Sequence, residues 1–255
     1  MANGRRLPPA AHVLVEMTLV PGSGATVGPA PAAAPGAGNR YRILRTLEVD
    51  EYETPLPAAA ILPLTAPQPA PANNTFEGTS RKAAKLSIAT AQLEQFNDVD
   101  KLIATFPAHA TMKKRKISTK ANSNRVDVEK RNVKLKAFLY AASREDDNDY
   151  HLIIGRDPAK PAKYMTAEIS GLPPDSSSAF DTLSGVRDAF FAFFGDGLPG
   201  TSYDFYDPPI PIEIEGSLFW DASHATGSRP GPQTLRPKMP VVWEIHPVTR
   251  IVLEP

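Results

Sequence analysis

Apolar and polar residues alternate regularly from Val133 to Ala141, where every second side chain is apolar. This period of two predicts a β-strand with one buried face. Four Asx residues, Asp146–Asp149, then supply turn chemistry, and the short apolar run His151–Ile154 predicts a second strand. The pattern therefore predicts an antiparallel hairpin.

Alternation and helical spacing further along predict a third strand, a helix, a fourth strand and a last strand. Their expected bounds are Lys163–Ile169, Asp175–Phe194, Ile210–His224 and Val241–Leu253. Side chains within Asp175–Ser178 are expected to cap the helix. Tyr203–Pro209 and Ala225–Pro240 are predicted loops, the second of them mobile, and Gly216 marks a bend or bulge in the fourth strand.

This order of elements, β-β-β-α-β-β, predicts the fold class. We expect a mainly β protein in which residues 125–255 form a five-stranded OB-like β-barrel with the helix between strands three and four. The long first strand and the glycine in the fourth strand suit the coiling of such barrels. The alternative is an open α+β sheet with the helix laid across one face.

The N-terminal part of the chain has a different pattern. Residues 1–53 contain two strand-like pieces, His12–Val20 and Tyr41–Tyr52, on either side of a low-complexity loop. Two strands alone are marginal in water, so we expect this N-terminal strand pair to join the barrel or another subunit. Residues 54–78 form a Pro/Ala linker.

Residues 79–124 are predicted to be a helical and basic leader to the barrel. Helix formers at helical spacing predict a helix over Ser80–Phe96, and a cap followed by apolar residues predicts a second over Val99–Thr105. Val126 and Val128 indicate a short lead-in strand after the leader.

Composition narrows the functional classes. The chain has 28 Lys and Arg against 28 Asp and Glu, and zero net charge argues against a wholly basic nucleic-acid binder. The absence of cysteine excludes disulfides, thiolate nucleophiles and cysteine-ligated zinc. No apolar run approaches the roughly 20 residues that span a bilayer, and His12 and Glu16 interrupt the run that a signal peptide needs. We therefore expect a soluble, cytoplasmic protein.

Three motifs resemble those of a group of uncharacterised bacterial proteins. EDDNDYHLII (Glu145–Ile154) is similar to an acidic DxDYHL turn, GSLFWDASH (Gly216–His224) to a GxxFDxxH strand end, and WEIHPVTRI (Trp243–Ile251) to an E[IL]HPV strand. The resemblance covers roughly residues 80–255 with the motifs in order, and it implies an OB-fold-like structure without a particular activity. Many members of the group look secreted, which this chain is not expected to be.

A basic block before the hairpin indicates one function. OB-folds bind single-stranded nucleic acid by stacking bases on aromatic rings above a cationic groove. The predicted nucleic-acid-binding residues are accordingly Lys113, Lys114, Arg115, Lys116, Lys134, Lys136, Phe138 and Tyr140. The alternative is a solvated leader whose lysines bind nothing specific.

Acidic residues and histidines form a second pattern. The candidate metal ligands are Asp147, Asp149 and His151, which lie two residues apart, with His224 or His246 to complete a site. Glu244 and His246 alternate on the last strand, an arrangement suited to general acid–base work. The alternative is structural: the aspartates satisfy turn amides, and His151 and His246 form hydrogen bonds that hold the barrel together.

The sequence has no G-x-S-x-G, P-loop, H-E-x-x-H or Rossmann motif, so it predicts no catalytic residue and no cofactor, and it favours a binding module over an enzyme. The leading hypothesis is an OB-like module for single-stranded nucleic acid or another polyanion. The second is a structural protein whose N-terminal arms pair with neighbouring subunits in a homo-oligomer. The third is a metal-dependent hydrolase built on Asp147, Asp149, His151, Glu244 and His246.

Overall fold

The structure is a computed structural model, and it describes residues 15–19, 41–49, 73–226 and 230–254. The strands in these ranges form one mixed sheet: β1 Val15–Leu19, β2 Tyr41–Arg45, β3 Leu93–Phe96, β4 Asn132–Arg144, β5 Tyr150–Gly155, β6 Tyr164–Ile169, β7 Asp204–Trp220 and β8 Trp243–Leu253. The helices are α1 Lys82–Lys85, α2 Val99–Ile103, α3 His109–Lys114 and α4 Phe180–Phe194. The prediction of a mainly β protein is confirmed. The predicted low-complexity loop and most of the predicted Pro/Ala linker lie outside the described residues.

Five of these strands pair in a closed ring. β4 pairs with β5, β5 with β6, β6 with β8, β8 with β7, and β7 with β4. Every pair in the ring is antiparallel except β6–β8, which is parallel. β3 extends the sheet beside β4, and β2 and then β1 extend it beside β7. The N-terminal strand pair therefore joins the sheet of its own chain.

The predicted hairpin is present as β4 and β5 of the ring. The alternation of apolar and polar residues along β4 determines which of its side chains enter the core. Val133, Leu135 and Leu139 are fully buried in the main apolar cluster, whereas Lys136 on the other face of β4 is exposed. α4 packs against β8 and β6 with an apolar stripe of Leu183, Val186, Phe190 and Phe194. Fully burying one such side chain contributes about 1.5–3 kcal/mol, so these residues stabilise the packing of α4 on the ring.

The predicted irregularity at Gly216 is confirmed. The register between β7 and β8 shifts on both sides of this glycine, as in a β-bulge. A Cβ atom at this position would collide with the carbonyl oxygen of Pro247. Glycine therefore permits the close approach of the two backbones where the strand bends.

The helix predicted over Ser80–Phe96 is wrong for most of its length. α1 ends at Lys85, and Leu93–Phe96 pair in parallel with Asn132–Leu135 as β3. Local spacing favours a helix there, but pairing with a distant strand overrides local propensity. The helix predicted over Val99–Thr105 is confirmed as α2.

The loop predicted over Tyr203–Pro209 is also wrong, because β7 begins at Asp204. Its first residues pair with β2 on one side and, through Phe205, with Ala141 of β4 on the other. Two partner strands hold a proline-containing segment extended although its own sequence lacks strand alternation.

Two smaller predictions are corrected. The lead-in strand around Val126 and Val128 is a 3₁₀ turn over Asp127–Glu129, in which the Glu129 carboxylate accepts the Val126 N–H. α4 begins at Phe180 without a side-chain cap. The residues predicted to cap it therefore form the preceding turns.

Residues 73–91 pack beside the β4–β5 turn and the outer face of β6 and β8, opposite the main apolar cluster. The backbone N–H of Phe76 donates to Leu172 O (2.9 Å), that of Glu77 to Asp147 O (3.0 Å), and that of Ala89 to Ser217 Oγ (2.9 Å). This cover encloses a layer of polar side chains on that face. None of the helices in the described ranges is long and apolar enough to cross a membrane.

Candidate functional site

Five ionisable side chains meet beneath residues 73–91, and we call them the acid–histidine centre: Lys85, Asp149, Glu168, Glu244 and His246. They come from the end of α1, the β4–β5 turn, β6 and β8. Four of the five come from the ring or its turn, and the covering segment supplies the lysine.

Strand register explains how β6 and β8 contribute to the centre. In their parallel pair, Thr166 lies opposite Glu244 and Ala167 opposite Ile245. Glu168 and His246 are each one residue further along, so they lie side by side. Side chains two residues apart in a strand share a face, which puts Glu244 on the same side as His246.

His246 contacts every acidic member of the centre. Its Nε2 lies 2.8 Å from Ser170 Oγ and 3.6 Å from Asp149 Oδ2. Its Nδ1 is in close contact with Glu168 Oε2 and lies 3.7 Å from Glu244 Oε2. The ring is fully buried, with its centroid 5.5 Å from that of Phe219. Both ring nitrogens therefore face carboxylates.

Lys85 is the cation of the centre. Its Nζ lies 3.5 Å from Asp147 Oδ2, 3.6 Å from Asp149 Oδ2 and 3.7 Å from Glu168 Oε2. The side chains of Lys85 and Asp147 are 11% and 20% exposed, whereas that of Asp149 is 0% exposed. Lys85 and Asp147 thus form the rim through which solvent reaches the centre.

Several polar atoms of the centre have no hydrogen-bond partner within the described ranges. They are Asp149 Oδ2, Glu168 Oε2, Glu244 Oε1, Glu244 Oε2 and His246 Nδ1. His246 Nδ1 and Glu168 Oε2 are nevertheless in close contact with each other, and Asp149 Oδ2 and Glu168 Oε2 lie within ion-pair distance of Lys85. Glu244 differs, because neither of its oxygens has a hydrogen bond or an ion pair with a lysine or arginine in the described ranges. A buried polar group left without a hydrogen bond costs about 1–3 kcal/mol.

Burial and mutual charge shift the pKa values of the carboxyl groups in opposite directions. Burial raises the pKa of the Asp149 and Glu244 carboxyls well above the usual range, and neighbouring carboxylates add to this. Burial also opposes ionisation of Glu168, but Lys85 and His246 outweigh it and hold the pKa of Glu168 well below its usual value. Of the three carboxyl groups, that of Glu168 is therefore the most strongly stabilised in its ionised form.

The two cationic groups also differ. Burial lowers the pKa of Lys85, but the surrounding carboxylates, Glu168 first, outweigh it and raise that pKa well above the usual value. Burial lowers the pKa of His246 in spite of Glu168. The centre therefore favours an ammonium group beside a neutral imidazole.

His151 lies beside the centre with partners of its own. Its Nδ1 lies 2.5 Å from Glu145 Oε1 and 3.3 Å from Tyr203 Oη. Both histidines thus have carboxylate and hydroxyl partners, as the structural alternative expects for hydrogen-bonded histidines. Of the candidate ligands, Asp149 and His246 meet in one cluster with Glu168, whereas His151 lies in a second one with Glu145 and Glu168. Asp147 approaches the first cluster through Lys85, and His224 lies 3.2 Å from Asp221.

The sequence analysis missed Lys85 and Glu168. Glu168 carried a usable signal, since it interrupts the otherwise apolar end of a strand in which every residue is buried. Lys85 carried none, because it is one of several lysines in a helix-forming stretch. Its role follows only from the packing of residues 73–91.

A second site is open to solvent, and we call it the β4 groove. It follows the outer side of β4, is lined there by Lys134, Lys136 and Phe138, and continues to Phe96 and Lys101 on one side. On the other side it is lined by Asp98, Arg156, Lys160, Pro211 and Ile212.

The groove contains three of the predicted nucleic-acid-binding residues. Tyr140 lies beyond it, where its hydroxyl donates to Arg156 O (2.7 Å). Lys113–Lys116 are exposed on and after α3, and the first ring of that helix, His109, lies 5.0 Å from Trp220. Trp220 ends β7 five residues after Glu215, which pairs with Lys134 of the groove, so the two are about 17 Å apart along the strand. The lysines and arginine of residues 113–116 are not among the residues that line the groove.

Comparisons with protein-family models, with curated proteins and with solved structures gave no match. The site must therefore be interpreted from its own chemistry.

Proposed function

We propose that this protein is an OB-like binding module that holds an extended polyanion, such as single-stranded nucleic acid, in the β4 groove. The observation that supports this best is the combination of two lysines and two half-buried phenylalanine rings in one groove. Lys101 and Lys136 form no ion pair with any described residue, and Phe96 and Phe138 lie beside them. Cations that follow a backbone and rings that stack on bases are the parts of a single-strand site.

The other cations of the groove are already neutralised. Lys134 Nζ lies 2.7 Å from Glu213 Oε1, and Arg156 and Lys160 both bind Asp98. Only Lys101 and Lys136 therefore remain to neutralise phosphate groups, and this limits the electrostatic contribution to polyanion binding. With a slope of about −0.7 per neutralised phosphate on a single strand, we expect log affinity to fall with log salt at a slope of about −1.4.

The OB-like assignment is part of the proposal. It is supported by the chain order of the ring strands and by the position of α4 between its third and fourth strands. In OB-folds the ligand usually lies on the face of strands two and three. The equivalent strands here are β5 and β6. Glu168 of β6 lies beneath residues 73–91, and Ile153 of β5 packs against Tyr203 and Met239, so we assign the long ligand to the open groove on β4.

Fluorescence anisotropy with a labelled single-stranded oligonucleotide, titrated over a series of salt concentrations, tests the proposal. We expect saturable binding at low salt with the shallow slope given above. Lys101→Ala with Lys136→Ala is expected to remove most of that slope, and Phe138→Ala to weaken binding by about 1–3 kcal/mol at every salt concentration.

Lys113→Ala with Lys114→Ala is the matched control, because it removes two exposed lysines outside the groove. It is expected to leave binding nearly unchanged. Absence of binding at low salt, or an equal loss from both double variants, contradicts the proposal.

A further inference from the structure

We propose that the acid–histidine centre binds one divalent transition-metal ion through Asp149, Glu168 and His246. This site is separate from the β4 groove, and the inference does not depend on polyanion binding. It rests on ligand geometry, on buried acceptor atoms that lack partners, and on the position of Lys85.

The three ligand atoms already converge. Asp149, Glu168 and His246 each offer one ligand atom, and these atoms all lie within 4.8 Å of one another. Metal–ligand bonds of about 2.0–2.2 Å to carboxylate and imidazole allow ligand separations of up to about 4.2 Å. Small side-chain rotations therefore suffice to bring all three atoms into one coordination sphere.

Glu244 provides a second, independent observation in favour of a bound cation. It is 0% exposed, neither of its carboxylate oxygens has a hydrogen-bond partner among the described residues, and its Oε2 lies 3.7 Å from His246 Nδ1. Glu244 approaches the same ring nitrogen as Glu168, so its charge lies on the side of the imidazole that faces this ligand carboxylate. One cation would give an electrostatic partner to the buried oxygens of Asp149, Glu168 and Glu244 together.

The ligand types select the class of metal. Mg²⁺ and Ca²⁺ prefer sites made entirely of oxygen, whereas an imidazole with carboxylates suits Zn²⁺, Mn²⁺, Fe²⁺ and Co²⁺. The centre has one imidazole and no thiolate, since the chain has no cysteine. A hard-to-intermediate first-row ion with open positions for water is the best match.

Lys85 gives the proposal an additional testable consequence, because its ammonium group lies beside two of the proposed ligands. Its ammonium lies 3.6 Å from Asp149 Oδ2 and 3.7 Å from Glu168 Oε2, close to where the metal would be. Like charges at such distances repel strongly in a buried site. The ammonium must therefore swing toward the solvent-exposed rim when a metal binds, and it competes with the metal for the same carboxylates.

Co²⁺ titration of the full-length protein, after removal of metal with a chelator, tests this inference. We expect one Co²⁺ per chain, with visible d–d absorption from the bound ion and a rise in the melting temperature of the protein. Zn²⁺ is expected to displace the bound Co²⁺, whereas Mg²⁺ at the same concentration is not. The absence of saturable binding by the wild-type protein overturns the proposal without any variant.

Variants then separate a metal site from a structural cluster. Glu168→Gln and His246→Asn are expected to weaken Co²⁺ binding at least about 100-fold, because each removes a ligand. Glu244→Gln is expected to weaken it about 10-fold, because it removes a nearby negative charge. Lys85→Met is expected to tighten Co²⁺ at least about 10-fold, because it removes the competing charge. A purely structural cluster predicts no such gain.

Glu213→Gln, which removes a carboxylate of the sheet surface, is the matched control and is expected to leave Co²⁺ binding unchanged. Far-UV circular dichroism identifies any variant that has lost its fold. Co²⁺ affinity that is unchanged in both Glu168→Gln and His246→Asn, when these are folded, or weakened in Lys85→Met, contradicts the assignment.

Discussion

Two of the buried clusters of charge among the described residues, the Arg81–Glu129 pair and the acid–histidine centre, differ in the hydrogen bonds that their carboxylates accept. Glu129 is fully buried and binds Arg81 through both oxygens, at 2.6 and 2.7 Å. The same oxygens accept the backbone N–H groups of Trp220 (2.9 Å) and Val126 (2.7 Å). Glu244 is equally buried, yet it accepts no hydrogen bond from the part of the chain that the structure describes.

The difference separates a buried carboxylate with a full set of hydrogen bonds from one that accepts none within the described ranges. Arg81 also donates to Trp220 O and Asn124 O, so the Arg81–Glu129 pair attaches residues 73–91 to the end of β7. A buried pair with good geometry and satisfied oxygens repays its desolvation, whereas an unsatisfied one does not. The acid–histidine centre is therefore the less completely hydrogen-bonded of the two clusters.

The largest effect is expected when the satisfied pair is broken. Glu129→Ala leaves Arg81 buried without its carboxylate, which typically costs about 3–5 kcal/mol. Urea denaturation at neutral pH, in the presence of a chelator, measures this loss. A cost below about 1 kcal/mol would show that the hydrogen bonds of Glu129 do not distinguish it from Glu244.

In the acid–histidine centre, substitution of the buried carboxylate is expected to change the free energy of unfolding in the opposite direction. Glu244→Met replaces two oxygens that accept no hydrogen bond with an apolar side chain of similar volume. It removes the desolvation cost of an unpaired buried carboxyl group, so we expect the variant to be more stable by about 1–3 kcal/mol. The same denaturation in chelator measures the change. A large loss of stability would mean that Glu244 has a structural partner and would weaken the contrast with Glu129.

The sequence predicted the ring better than the strands around it. Alternation in Val133–Ala141 and the turn residues that follow are local signals, and the hairpin they predict is present. β3 and the start of β7 lack such signals, because their extended conformation comes from pairing with strands far away in the sequence. Propensity alone cannot predict elements of that kind.

The same limit applies to the candidate site. Asp149, Glu244 and His246 were predictable as candidates from residue type and two-residue spacing. That they meet Glu168 depends on the parallel register of β6 and β8, and Lys85 enters through the covering segment. The meeting of the ligands is a property of topology, whereas the ligand types are a property of the sequence.

The smallest effect on stability is expected at Asp98. Its carboxylate is fully hydrogen-bonded, like that of Glu129, but its partners lie nearer to solvent. Asp98 binds Arg156 through both oxygens, at 2.9 and 3.0 Å, binds Lys160 at 3.0 Å, and caps α2 by accepting from the Asp100 N–H. Burial alone would raise the pKa of Asp98, but these hydrogen bonds, led by that from Arg156, outweigh it and lower that pKa below its usual range. Because the pKa is lower in the folded than in the unfolded protein, the stabilisation is complete above about pH 4 and is lost as the pH falls further.

Asp98→Asn keeps a good capping residue and removes the charge, so it isolates the ion pairs. Solvent around Arg156 and Lys160 screens them, and we expect the wild-type protein to be more stable than the variant by about 1 kcal/mol at pH 7, with a smaller difference at pH 3. Paired urea denaturations at the two pH values measure this. A difference that does not change with pH would mean that the charge of Asp98 contributes nothing, and that satisfied hydrogen bonds stabilise this protein only where they are fully buried, as at Glu129.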